Sequence, residues 1–117
     1  MLPGEFRDAG QIADLLQACT AILEFTHNTS RADFLNDAQL ISAVGFQVAI
    51  LGEAVKGVSD SLRTRYPGTP WKKIAGMRDR LIHGYHDIDV DELWNTAIRD
   101  VPLLREQLKN IQTDMGF

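Results

Sequence analysis

From residue 40 to residue 62 apolar side chains recur every three or four positions: Leu40, Val44, Val48, Leu51, Val55, Val58 and Leu62. At about 100° per residue they form one stripe of a helix, and Ala43, Phe46, Ile50 and Ala54 form a second arc. A helix that is apolar on two sides has to bury both, so it lies at the centre of a bundle or in a subunit interface. The spacing predicts a single helix, capped by Asn36 or Asp37 and running to about residue 63. Gly45, Gly52 and Ser59 line up on a third strip. A glycine costs up to about 1 kcal/mol relative to alanine in a helix interior, which makes sense where another backbone packs closely.

The rest of the chain carries the same period. Ile12, Leu15, Leu16, Cys19, Ile22, Leu23 and Thr26 share one face of a helix over residues 10–27. Ser30, three residues before Asp33, can cap a short helical turn around Phe34 and Leu35. After the loop "RYPGTPW", Thr69 is a candidate cap and Pro70 a first helical residue. That helix is expected to end near His83, with Gly84 as a left-handed cap. In "DIDVDELW", Asp89 and Glu92 form a capping-box-like pair. An apolar stripe then runs through Val90, Trp94, Ala97, Val101, Leu104, Leu108 and Ile111. Pro102 should kink or divide this last helix, with Asp100 as a new cap. No segment alternates like a strand. The expected fold is one all-α domain over residues 1–117, an antiparallel bundle of four main helices with a short extra helical turn.

The formal net charge is −4, which argues against a generic basic coat for nucleic acid. It leaves room for a local basic cleft, because Lys72, Lys73, Arg78 and Arg80 fall within nine residues. The lone Cys19 allows no internal disulfide and no cysteine metal spacing, and it fits a reducing compartment. No run of about 18 apolar residues suggests a membrane span, and residues 1–10 lack the apolar core of a signal peptide. The expected location is the cytoplasm.

The chemistry-bearing stretch is "MRDRLIHGY", residues 77–85. Arg78 falls inside the apolar arc of Ile74, Met77, Leu81 and Ile82, where an unpartnered charge is costly. On a continuous helix Arg78 and His83 stand about 140° apart and do not face each other, whereas Arg80 and His83 do. Arg78 and His83 converge if the helix ends near His83, or if two copies of the chain form one cleft. Histidine moves protons near neutral pH, and arginine binds phosphate in a bidentate fork. Together they suit attack of an RNA 2′-hydroxyl on its neighbouring phosphate.

The segment "WKKIAGMRDRLIHGYHDIDVDELWNTAIRDVPLL" resembles the signature region of HepT-like toxins in the HEPN superfamily, whose hallmark is R-x(4)-H-x-Y. "GFQVAILGEAVKGVS" resembles the family's second helix and "YPGTPW" its following loop, so the similarity spans roughly residues 12–111. The resemblance implies a homodimeric helical bundle acting as a metal-independent ribonuclease, the toxin of a type VII toxin–antitoxin system. It implies Arg78 and His83 as the catalytic pair, with Asp79 as an auxiliary polar residue. Tyr85 would be the regulatory position, to which an MntA-type nucleotidyltransferase antitoxin transfers AMP. Phosphate added there would bring negative charge and bulk beside the cleft. Arg80 and Lys73 are candidate RNA-binding residues, and no cofactor or metal is implied. Two rivals are a non-catalytic HEPN module that binds a partner protein or nucleotide, and a helical dimer in which Arg78 and His83 only stabilise the interface.

Among lesser candidates, Glu53 reads as a solvated or interface carboxylate, and His27 sits at a helix end, where a cation is favourable. His86 neighbours the motif. Trp71 and Trp94 read as core or interface anchors. The acidic run "HDIDVDE" is explained by capping and dipole complementarity.

Overall fold

The computed structural model describes residues 3–84 and 87–117. The helices are α1 (Pro3–Thr26), α2 (Arg31–Leu35), α3 (Ala38–Lys56), α4 (Asp60–Arg65), α5 (Trp71–Leu81), α6 (Val90–Asn95) and α7 (Val101–Met115), with a π-helical turn, Thr96–Asp100, joining the last two. The all-α expectation therefore holds. An isolated antiparallel bridge, Ile82 to Ile88, is the one strand-like pairing among the described residues.

The two-sided helix is central, but its second arc is only partly buried: Phe46 is exposed and Ala43 and Ile50 are half-buried. α3 packs against α1 on one side and α5 on the other, and α1 also packs against α7. By length and composition α3 could cross a membrane, with a mean hydropathy of 1.5. Here its stripe of Val44, Val48, Leu51 and Val55 is buried in the core. Ile12, Leu15, Cys19 and Ile22 of α1 meet it, and Phe34 of α2 stacks on Trp94 with ring centroids 5.1 Å apart. Each such fully buried large side chain stabilises the fold by about 1.5–3 kcal/mol.

α3 stops seven residues before the expected end. Gly57 closes it, and Ser59 becomes the N-cap of α4, accepting from the Leu62 N–H at 3.2 Å. The buried carboxylate of Asp8 accepts from the Ser59 N–H at 2.8 Å and from its hydroxyl at 2.6 Å. The Arg63 guanidinium donates to the carbonyls of Val55 and Val58. Backbone groups released by the break are thus re-satisfied from α1 and α4. Val58 and Leu62 stay buried across the break, so periodicity alone could not reveal it. Asp8 also accounts for the early start of α1. Its first turns carry little apolar signal, and Phe6 is 66% exposed, but Asp8 ties them down. At the other end Asn28, with φ 57°, turns the chain out of α1.

Of the aligned strip, Gly52 alone meets another backbone. A Cβ there would lie 3.6 Å from the Ala75 carbonyl oxygen and 3.6 Å from the Arg78 Cβ, while one at Gly45 would meet nothing within 4 Å. Ser59 has left the helix as a cap.

The caps at Ser30, Asp37 and Asp89 form as expected, each side chain accepting from the N–H three residues on. Thr69 does not cap: it is buried and offers its carbonyl to the Trp71 N–H at 2.9 Å. α5 therefore starts at Trp71, after Pro70. It ends at Leu81, because Ile82 is extended and pairs with Ile88. Gly84, with φ 150°, lies in the loop beyond and is not a helix cap. The last helix is divided just before Pro102, into α6, the π turn and α7, but Asp100 is not the new cap. Asp100 keeps helical angles without a capping bond, and the Val101 N–H reaches back five residues to the Thr96 carbonyl. The wider π turn takes up the register change and leaves Pro102 in the first turn of α7, where its missing N–H costs little.

Three outcomes test this framework. Asp8→Ala removes two charge-assisted bonds and should cost about 2–3 kcal/mol, read as a lower urea midpoint; an unchanged midpoint would mean that the α3–α4 break holds without it. Gly52→Ala meets only ordinary contact distances and should keep or raise stability, by up to about 1 kcal/mol, whereas Gly52→Leu should wedge α3 from α5 and lower the melting temperature. Burial pushes the Cys19 thiol up from 9.0 to about 12, against an opposing pull from Arg105. The unfolded chain therefore loses this proton first as pH rises. Stability should fall between about pH 9 and 12 by a component that Cys19→Ala lacks, and a thiol reagent should label Cys19 only after denaturation.

Candidate functional site

Helix α5 turns Trp71, Ile74, Met77 and Leu81 into the core, which leaves its cations on the flanks. Arg78 follows Met77 and sits at the edge of the contact with α3. Its Cβ adjoins Gly52, its side chain is 51% exposed, and its Nη1 donates to Asp79 Oδ1 at 3.2 Å. This explains an arginine on an apolar arc: the stem covers a glycine and the charged head reaches solvent. Arg78 is not a buried charge in the single chain. Asp79 is more exposed still, so the pair adds little stability. What it does is hold one edge of the guanidinium and leave other donors available.

His83 is released from the helix. Its backbone N–H donates to the Asp87 carbonyl at 2.7 Å, and the Asp89 N–H donates to the Leu81 carbonyl at 2.8 Å. These two bonds, with partly buried Ile82 and Ile88 against the core, pin both ends of the 82–88 loop. The His83 side chain is exposed at its start. The 140° separation of a continuous helix therefore does not apply, because the helix ends before His83. Tyr85 and His86 lie outside the described residues.

Arg80 and Lys73 occupy the other flank of α5. Arg80 Nη2 donates to the Lys73 carbonyl at 3.2 Å, and the Lys73 ammonium pairs with Asp100 at 3.4 Å. With Glu92, Asn95, Thr96 and Arg99 these residues line a cleft of about 320 Å³ between α5 and the α6–π segment. Arg78 thus stands on the α3 side of the helix and Arg80 on the α6 side, and the face-to-face pairing of Arg80 with His83 lapses where the helix ends. Arg99 is the member of this cleft that the sequence did not single out. At about 100° per residue Arg99 stands about 20° from Glu92 and about 40° from Asn95, so helical spacing puts it on the cleft face; what spacing does not show is that α5 lies opposite that face.

The lesser candidates resolve into structure. Trp71 and Trp94 are buried, and the Trp71 indole N–H donates to the Tyr66 carbonyl. Glu53 forms an exposed pair with Lys56 at 3.1 Å. His27 lines a surface hollow with Glu24 and Arg105. In the acidic run Asp89 caps α6 and Asp91 pairs with Arg31. The arrangement offers an accessible guanidinium for phosphate and an accessible imidazole for proton transfer, both anchored at the C-terminal end of α5.

The sequence profile of the ribonuclease HepT-like family matches residues 15–111, which include both groups. A protein of Caldanaerobacter subterraneus subsp. tengcongensis, named as a proposed RNase, is 38% identical over 83% of this chain and 87% of its own. Another so named, from Methanocaldococcus jannaschii, is 35% identical over 87% of this chain and 84% of its own. A third, from Thermococcus cleftensis and named as a probable ribonuclease HepT, is 36% identical over 86% of this chain and 92% of its own. No solved structure matches the chain significantly. A match over this much of its length, with 35–38% identity to such relatives, means that the chain belongs to the ribonuclease HepT-like family.

Proposed function

We propose that the chain is an endoribonuclease toxin that cuts RNA without a metal ion, using Arg78 and His83. The observation that carries the reading is the end of α5: an exposed arginine steadied by Asp79, followed at once by a histidine freed from the helix on a pinned loop. In this reaction the RNA 2′-oxygen forms a bond to the adjacent phosphorus while the bond to the 5′-oxygen breaks. The products are a 2′,3′-cyclic phosphate and a 5′-hydroxyl end. His83 takes the proton from the 2′-hydroxyl or delivers one to the leaving oxygen. Arg78 binds the non-bridging oxygens, whose charge grows in the transition state. Lys73 and Arg80 add positive charge for the RNA on the other flank.

The reading includes a homodimer of four-helix bundles whose two motifs share one cleft, so that each histidine has a second to complement it. The packing of α3 between α1 and α5 supports the bundle. Apolar surface left open in the groove between α1 and α3 supports association, since Phe46 there is 64% exposed. The reading also includes silencing by a nucleotidyltransferase antitoxin of the MntA type, acting in the cytoplasm. Its target is Tyr85, which the R-x(4)-H-x-Y match puts two residues from His83. An adenylate attached there sets a phosphate charge against the substrate's own phosphates.

The test is cleavage of labelled cellular RNA in EDTA. Wild type should cut, and Arg78→Ala and His83→Ala should each lose about a hundredfold or more, with helical content and melting temperature retained. If both variants instead unfold or dissociate and wild type never cuts, the two residues stabilise the structure. If the variants fold, wild type does not cut and its intact mass lacks adenylate, the chain is a non-catalytic binding module.

A further inference from the structure

The polar cleft between α5 and the π turn takes no part in the bond-breaking step proposed above, yet it gathers Lys73, Arg80 and Arg99 against Glu92 and Asp100. It is locally cationic in a chain of net charge −4. Its cations are unequally committed. Lys73 is neutralised by Asp100 at 3.4 Å. Arg80 spends one Nη2 bond on the Lys73 carbonyl, which fixes the guanidinium on the cleft wall with its remaining donors unspent. Arg99 is exposed and has no ion-pair partner among the described residues. Two guanidinium groups beside the Asn95 amide form a donor-rich hollow, the chemistry that a tetrahedral phosphate oxyanion takes up in bidentate fashion. Arg99 reaches the cleft from the same helical face as Glu92 and Asn95.

We propose that this cleft is a second phosphate subsite, in which Arg80 and Arg99 hold a backbone phosphate of the RNA a few nucleotides from the bond being cut. The inference rests on the ribonuclease reading and adds the path of the substrate. Arg78 lies on the α3 flank of α5 and Arg80 on the α6 flank, across a helix about 10–12 Å wide. A strand placed at His83 therefore crosses the end of α5, and its next phosphates fall toward the cleft. A phosphate contact of this kind fixes register without reading bases. Asp100 competes with the RNA for Lys73, so the ion pair limits how tightly the subsite holds.

The experiment is titration of a fluorescein-labelled single-stranded RNA 20-mer into His83→Ala protein over a range of KCl concentrations. Loss of one phosphate contact lowers the slope of log K against log salt by about 0.7. Arg99→Ala and Arg99→Gln should each do this and weaken binding several-fold, equally for different sequences, while Arg99→Lys keeps most of the slope. Asp100→Asn should tighten binding by releasing Lys73. Binding of a trinucleotide, too short to span both places, should ignore Arg99. An unchanged slope in folded Arg99→Ala and Arg99→Gln, with Arg78→Ala still weakening binding, would overturn the subsite and leave the ribonuclease reading standing. If the His83→Ala protein does not bind RNA at all, both fall together.

Discussion

One residue, Asp89, joins the two halves of the functional end. Its backbone N–H donates to the Leu81 carbonyl, the last of α5, and its carboxylate accepts from the Glu92 N–H to open α6. The Ile82–Ile88 bridge and the His83-to-Asp87 bond lie between. Together they stop α5 three residues after Arg78 has taken its place on α3, and they start the next helix within nine residues. Had α5 run on, His83 would stand about 140° from Arg78 on a rigid rod. The turn makes the separation a matter of loop geometry instead, with both loop ends fixed by main-chain bonds and partly buried isoleucines. A catalytic histidine needs that combination of freedom from the helix and a fixed anchor.

The same economy governs α5 itself. Its inward face is filled by Trp71, Ile74, Met77 and Leu81, so function is left to the two flanks. On one, the missing side chain of Gly52 makes room for the base of Arg78. On the other, Arg80 leans on the Lys73 carbonyl and Lys73 on Asp100. Both arginines keep their heads in solvent, where a charge costs little and a phosphate can reach it. An acidic chain can therefore handle RNA through a few placed cations, with no need of a basic surface.

What the residue pattern made legible was whatever depends on period and local chemistry: the inward faces of α1, α3, α5 and α7, the caps at Ser30, Asp37 and Asp89, and the motif Arg78–His83. What it hid depends on contacts distant in sequence. The break after Lys56 is held by Asp8, 51 positions from Ser59, while Val58 and Leu62 keep the apolar phase as though no break existed. The end of α5 is set by pairing with Ile88, and Gly84 looked like the stop because it is the next glycine. At Pro102 the division was legible but not its form, a π turn over Thr96–Asp100 with no cap at Asp100. Arg99 shares a helical face with Glu92 and Asn95, which spacing shows; that α5 brings Lys73 and Arg80 opposite that face, it does not.

The two departures from regular helix flank α5. The bridge closes its C-terminal end beside His83, and the π turn faces its first turns through the Lys73–Asp100 pair. A regular helix ending at His83 would leave that histidine facing away from Arg78. Local departures from ideal geometry are expected where a site asks for directions that a helix lattice does not supply. In this chain the Ile82–Ile88 bridge sets the C-terminal end of α5 where the candidate chemistry lies, while the regular lengths of α1, α3 and α7 hold the core that keeps it in place.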